Sequence, residues 1–244
     1  MFVLQQTPNT FIKFTSALPL TRICLLLLGD KPSPAVATQI LRLIESSLKI
    51  STSFSRKFEL VSGWITLKTV LPQAWSPDVQ AAAFDVLLGG AYTSQTADLV
   101  VVCPHMLPVI LSCLKYELDI LSGASHLHRD VHGRCPRTCL VFLTLTSQVV
   151  HGEAGVYANS LLEELIKIHS FSPTFREAFR SQVTTQTFID AFKSFVTAIS
   201  NLVELDNIVV WVLEKLSHLA LSISLDDVVA VPQRKEVTLT LLRR

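Results

Sequence analysis

Charge is scarce in this chain. Asp, Glu, Lys and Arg make up only 17% of its 244 residues, and 21 basic against 20 acidic side chains leave a formal net charge of +1. That balance excludes a general electrostatic hold on nucleic acid or anionic lipid, because both grips scale with excess positive charge. The longest basic cluster, Arg234, Lys235, Arg243 and Arg244, reads as a solvated tail. Cysteine is sparse and odd in number. Five thiols spread through apolar or mixed segments do not form a disulfide framework, which favours a reducing, cytoplasmic setting. Apolar runs long enough for a membrane are also missing. Leu18 to Leu28 is about half the length of a span and is interrupted by Pro19 and Arg22. It has no basic region before it and no small-residue cleavage pattern after it, so the expectation is a core helix, no secretory signal and no direct membrane insertion.

Recognised reaction motifs are lacking as well. No glycine-rich dinucleotide fingerprint, phosphate-binding loop or paired-histidine zinc-hydrolase motif occurs, and no family signature accompanies any Cys-His pair. Cys24, Cys103, Cys113 and Cys139 sit among apolar residues, where a buried, inert thiol is the rule. These absences point away from an enzyme. No catalytic, cofactor-binding or metal-binding residue is assigned from the sequence.

What the chain has in quantity is apolar surface, with 49% hydrophobic residues. So much apolar side chain against so little charge implies faces covered by neighbouring chain or by a partner. Its arrangement is helical. Ser33-Pro34, Ser76-Pro77 and Ser172-Pro173 each open an apolar-periodic stretch. Serine accepts from an otherwise unpaired helix amide, and proline fits the first helical position because no donor is needed there. After Pro34, Val36, Ile40, Leu43, Ile44 and Leu48 share one helical face up to about Ile50. After Pro77, Val79, Ala82, Ala83, Val86 and Leu87 do the same until Gly89-Gly90 stops the helix. Phe58 to Leu71 between them reads as a short helix or pair, broken at Gly63 and closed by Pro72.

Further along, Leu107, Ile110, Leu111, Leu114 and Leu118 form one stripe, and Leu161, Leu162, Leu165 and Ile166 another. Phe175, Phe179, Phe188, Phe192 and Phe195 follow, and the longest amphipathic run goes from Leu205 to Leu219. Leu99 to Cys103 and Val237 to Leu242 are the only compact strand-favouring runs, too few for a sheet. Short connections between helices predict antiparallel neighbours, and the roughly 33- to 34-residue signatures of ankyrin and tetratricopeptide repeats are absent. The expected fold is therefore all-α: a single armadillo/HEAT-like α-solenoid region over residues 1–244, with an irregular loop inserted at about 122–137 and a second break from Gly152 to Asn159.

The inserted loop carries His126, His128, His132 and Cys135, with Cys139 just beyond. Imidazole and thiolate are zinc ligands, but this spacing matches no finger or ribbon. Pro136 to Leu140 looks like the start of an apolar helix that would bury Cys139. Glu163-Glu164 and Asp226-Asp227 are adjacent acids. Neighbours on a helix point in different directions, so neither pair is a ready-made acid-base dyad. A solvated face suits the first and a helix N-terminal charge the second. Trp64, Trp75 and Trp211 have apolar helical neighbours, which favours packing over partner anchoring.

The segment Phe54 to Gly89, FSRKFELVSGWITLKTVLPQAWSPDVQAAAFDVLLG, resembles the region upstream of the BEACH domain in fungal beige-like proteins. A second resembling stretch runs from Leu161 to Leu225, with LLEELIKIHSFSPTFREAFRSQVTTQTFIDAFKSFVTAIS and LEKLSHLALSISLD. Together they cover less than half of the chain. The resemblance implies a long helical region of a very large scaffold in vesicle trafficking, lysosome or vacuole biology and selective autophagy. It implies protein partners, and peripheral membrane association only in a full-length context. The family's pleckstrin-like, BEACH and WD-repeat modules are not found here, so the resemblance also implies a fragment or truncated gene product. No catalytic residue is carried over. The leading functional expectation is a non-catalytic protein-interaction scaffold. The alternative is a helical adaptor outside the family that binds a peptide or helix in a groove.

Overall fold

The computed structural model describes residues 20–29, 32–51, 53–94, 99–121, 155–183, 188, 193, 195–197 and 207–242, with 20 and 225–242 described by backbone alone. Every regular element among these residues is a helix, and none of the described residues is in a strand. The first five helices are α1 (Leu20–Leu28), α2 (Pro34–Ile50), α3 (Phe54–Leu60), α4 (Gly63–Val70) and α5 (Pro77–Leu88), with a 3-10 turn at Leu71–Ala74 before α5. They are followed by α6 (Met106–Leu121), α7 (155–171), α8 (Pro173–Gln182) and α9 (Asn207–Leu242). The chain divides into two compact units, Met1–Cys113 and Leu114–Arg244, with the division inside α6.

All three Ser-Pro pairs start helices as their chemistry demands. Ser33, Ser76 and Ser172 accept from the amides of Val36, Val79 and Phe175 at 3.4, 3.3 and 3.2 Å, each with proline at the head of the first turn. Such a side-chain cap satisfies one of the four amides that a helix start leaves without an internal partner.

In the first unit, α5 is the most enclosed helix. Val79 and Gln80 are buried, as is every residue from Ala82 to Leu88. The sequence stripe accounts for only part of this, since Phe84, Asp85 and Leu88 lie off it. Ala82 and Ala83 are both buried, and α2 with α5 is the most extensive helix pair among the described elements. Two left-handed glycines, Gly89 at φ 63° and Gly90 at φ 85°, then turn the chain. Buried Asp85 ties the turn down by accepting from the Thr93 amide at 2.9 Å and hydroxyl at 2.8 Å. Val102 and Cys103 donate to the Leu87 carbonyl at 2.8 and 3.1 Å. Two amides of the strand-favouring run Leu99 to Cys103 are thus taken up by a helix end, and none of its residues is in a strand.

The stretch Phe58 to Leu71, expected as a short helix or pair, holds the corner of a pair, with α3 starting already at Phe54, and that corner is tight. Ser62 takes the left-handed conformation at φ 58°, unusual for a residue with a side chain. A Cβ on Gly63 would lie 2.5 to 2.6 Å from three atoms of the Phe58 ring, which is fully buried. Gly63 is therefore a close-approach site as well as a helix boundary.

In the second unit, α7 buries Ala158, Leu161, Leu162, Leu165 and Ile168, α8 buries Phe175, Ala178 and Phe179, and α9 buries Val209, Val212, Leu216, Leu219 and Ile223. Phe175, Phe179 and Phe188 form a chain of ring contacts with centroids 5.9 and 5.8 Å apart. Two sequence expectations are corrected. The break expected from Gly152 to Asn159 does not extend past residue 154, because α7 is already helical at Gly155. A Cβ there would meet Ile208 Cδ1 at 2.7 Å, so this glycine admits the side chain of α9. Asp226 and Asp227 do not begin a helix. They lie within α9, because the stretch from Asn207 to Asp227 holds no glycine or proline to interrupt the backbone hydrogen bonding. The Val237 to Leu242 run continues the same helical backbone.

Opposite effects are expected from neighbouring substitutions at the α3–α4 corner. Ser62→Gly should stabilise the protein by about 0.5 to 1 kcal/mol by relieving the left-handed penalty. Gly63→Ala should destabilise it by about 1 to 3 kcal/mol by forcing a methyl against the Phe58 ring. Urea unfolding of both variants measures the two shifts, and equal signs would contradict the described geometry.

Candidate interaction surfaces

The residues with the most obvious metal-binding chemistry, His126, His128, His132, Cys135 and Cys139, lie outside the described residues. Among the described residues, no three His, Cys, Asp or Glu side chains come together as a metal site. Cys24, Cys103 and Cys113 are buried and belong to no disulfide. Burial pushes the Cys24 thiol up to about 11, against a smaller backbone hydrogen-bond effect. It pushes Cys103 up to about 12, against hydrogen bonds from the Met106 and His105 backbone. Both thiols are thus held in the protonated, unreactive form at neutral pH.

The paired acids separate as adjacent helical positions must. Glu163 is exposed and pairs with Lys215 of α9, while Glu164 lies 3.6 Å from Lys167, one turn along α7. Lys215 also donates to Asn159 Oδ1 at 2.6 Å, so its ammonium spans α7 and α9. This arrangement fastens two helices and leaves the two carboxylates with different partners.

The three tryptophans diverge. Trp64 and Trp75 are buried, and their indole N–H groups have no hydrogen-bond partner among the described residues. Trp64 packs edge-on against Phe58 at 4.9 Å and stacks on His105 at 5.7 Å. The packing expectation holds for these two. Trp211 is 57% exposed on α9. The buried residues of α9 recur at three- and four-residue steps, and at about 100° per residue they define one seam. Val210, Trp211, Glu214, Ser217, His218 and Leu221 fall on the opposite side, all exposed. Apolar surface is thus left in water along a helix whose other face is fully used. Leu26, Leu60, Ile65 and Phe171 are further large apolar side chains that are more than half exposed.

A buried acid went unnoticed in the sequence. Glu117 of α6 is only 4% exposed, and burial, with no compensating partner among the described residues, pushes its carboxyl from an ordinary 4.5 up to about 7. The signal was there: Ile110, Leu114, Glu117 and Leu121 follow the buried phase of α6. Two residues on, burial also raises Asp119, partly offset by the Lys115 ammonium.

Comparison with family models, with curated proteins and with solved structures gave no match. Among the described residues no helix is long and apolar enough to cross a membrane.

Glu117 gives stability a definite pH dependence. Below its ordinary value of 4.5 the carboxyl is protonated in both states and contributes no penalty. As pH rises from 4.5 to about 7 the unfolded chain ionises first, so the folded state loses stability across that window and no further beyond it. Glu117→Gln should flatten this decline. Urea unfolding of both proteins across the window measures it, and parallel pH profiles would rule out an uncompensated buried carboxyl.

Proposed function

We propose that this chain is a non-catalytic protein-interaction scaffold of armadillo/HEAT-like helical architecture, akin to the upstream region of beige-like proteins and acting in vesicle trafficking or autophagy. The observation that carries the interaction role is the outer face of α9, where Val210, Trp211 and Leu221 are 43%, 57% and 61% exposed on the side away from the buried seam. Tryptophan with aliphatic neighbours is the composition of a binding hot spot, since covering a large ring removes much apolar area at little rotamer cost. Glu214 and His218 among them supply a polar rim that sets register on a partner. The trafficking assignment draws its support from the resemblance of Phe54 to Gly89 and Leu161 to Leu225.

Affinity purification followed by mass spectrometry tests the reading, comparing the natural chain with Trp211→Ser/Leu221→Ser. Proteins of vesicle traffic or autophagy should be recovered with the natural chain and fall about tenfold or more with the variant, as loss of a hot-spot anchor requires. Recovery of the same proteins by both chains would overturn the assignment of this face.

A further inference from the structure

The corner between α3 and α4 presents a second kind of surface. Its aromatic and bulky side chains, Phe54, Phe58, Trp64 and Leu67, are all turned into the core. The residues left outside include two protruding aliphatics and a set of cations. Leu60 at the end of α3 is 77% exposed, and Ile65 at the start of α4 is 66% exposed. Lys57 lies three residues before Leu60 and Lys68 three residues after Ile65, each about one helical turn, roughly 4.5 Å, back from the corner. Arg56 is exposed beside Lys57, and Glu59 is the one acid in the two helices. On α1, which packs against both α3 and α4, Leu26 is 80% exposed with Arg22 exposed one turn away.

We propose that this corner docks on the surface of a bilayer carrying anionic lipid, with Leu60 and Ile65 entering the acyl boundary and Arg56, Lys57 and Lys68 meeting the phosphates. The near-neutral whole chain conceals a local excess: three cations against Glu59 within α3 and α4. Aliphatic tips with lysines set one turn behind them match the depth order of an interface, acyl chains first and headgroups next. A protein partner suits the corner less well, because leucine is under-represented at protein hot spots and the aromatic rings here face inward. The corner is also pre-organised. Ser62 donates to the Glu59 carbonyl at 2.8 Å, Thr66 donates to the Ser62 carbonyl at 3.0 Å, and the Phe58 ring fills the space that Gly63 leaves. Little ordering is then needed on docking. Two side chains are a modest anchor, so binding should be reversible and salt-sensitive.

Vesicle flotation with the full chain tests this, using phosphatidylcholine vesicles with and without phosphatidylserine. The chain should float with the phosphatidylserine vesicles only, and less as salt is raised. Leu60→Ser/Ile65→Ser should weaken flotation about tenfold or more, and Lys57→Gln/Lys68→Gln about tenfold. Val156→Ser, on an exposed site of α7, should float as the natural chain does. Circular dichroism checks each variant for folding, and the exposed lysine pair carries the test if the serine pair does not fold. No flotation by the natural chain, or flotation indifferent to both pairs, overturns the proposal. A concentration-dependent dimer in its place, lost in the same variants, would assign the corner to a second copy of the chain.

Discussion

The first unit depends on one constraint, that α5 has almost no face it can show to water. A helix buried on nearly every side needs neighbours all around it, and α2 is the most extensive of these among the described elements. Its polar groups must then be satisfied locally, because a buried carboxylate without donors is costly. Asp85 meets this by accepting twice from Thr93, and the Leu87 carbonyl by receiving the Val102 and Cys103 amides. Thr93, Val102 and Cys103 are thus held at the end of α5 by the demand for hydrogen bonds there.

The second unit solves the same problem differently. Its helices keep distinct faces: α9 turns a continuous apolar seam inward and joins α7 through Lys215, while phenylalanine rings fill the region around α8. His169 sits edge-on to Phe175 and Phe179, both centroids 6.3 Å away, so even a titratable ring is used as packing. Glu117 is the exception, an acid kept in an apolar phase with its proton held by burial. Glutamate propagates a helix well, so the local backbone tolerates it, and the cost appears only as pH rises.

The two exposed apolar regions differ in chemistry. The α9 face combines a large aromatic ring with polar groups that give direction, whereas the α3–α4 corner combines compact aliphatics with cations that need no particular partner geometry. Both make use of what helix packing leaves over, since a helix that buries a stripe always has an opposite side free to evolve.

Helix existence, helix starts and the lack of strand among the described residues were readable from the sequence alone, because periodicity and capping are local. Ser33, Ser76 and Ser172 declare their helices through chemistry that spans only three residues. The resemblance to beige-like proteins added an expectation about cellular role and no geometry. Only the tertiary structure decided which side of each helix meets water, since exposure depends on what else packs there. It separated Trp211 from Trp64 and Trp75, which look alike in sequence. It showed Gly63 and Gly155 as places where Phe58 and Ile208 press close, and it set Leu60 and Ile65 outward at a corner whose short helices carry too little periodicity to reveal a face.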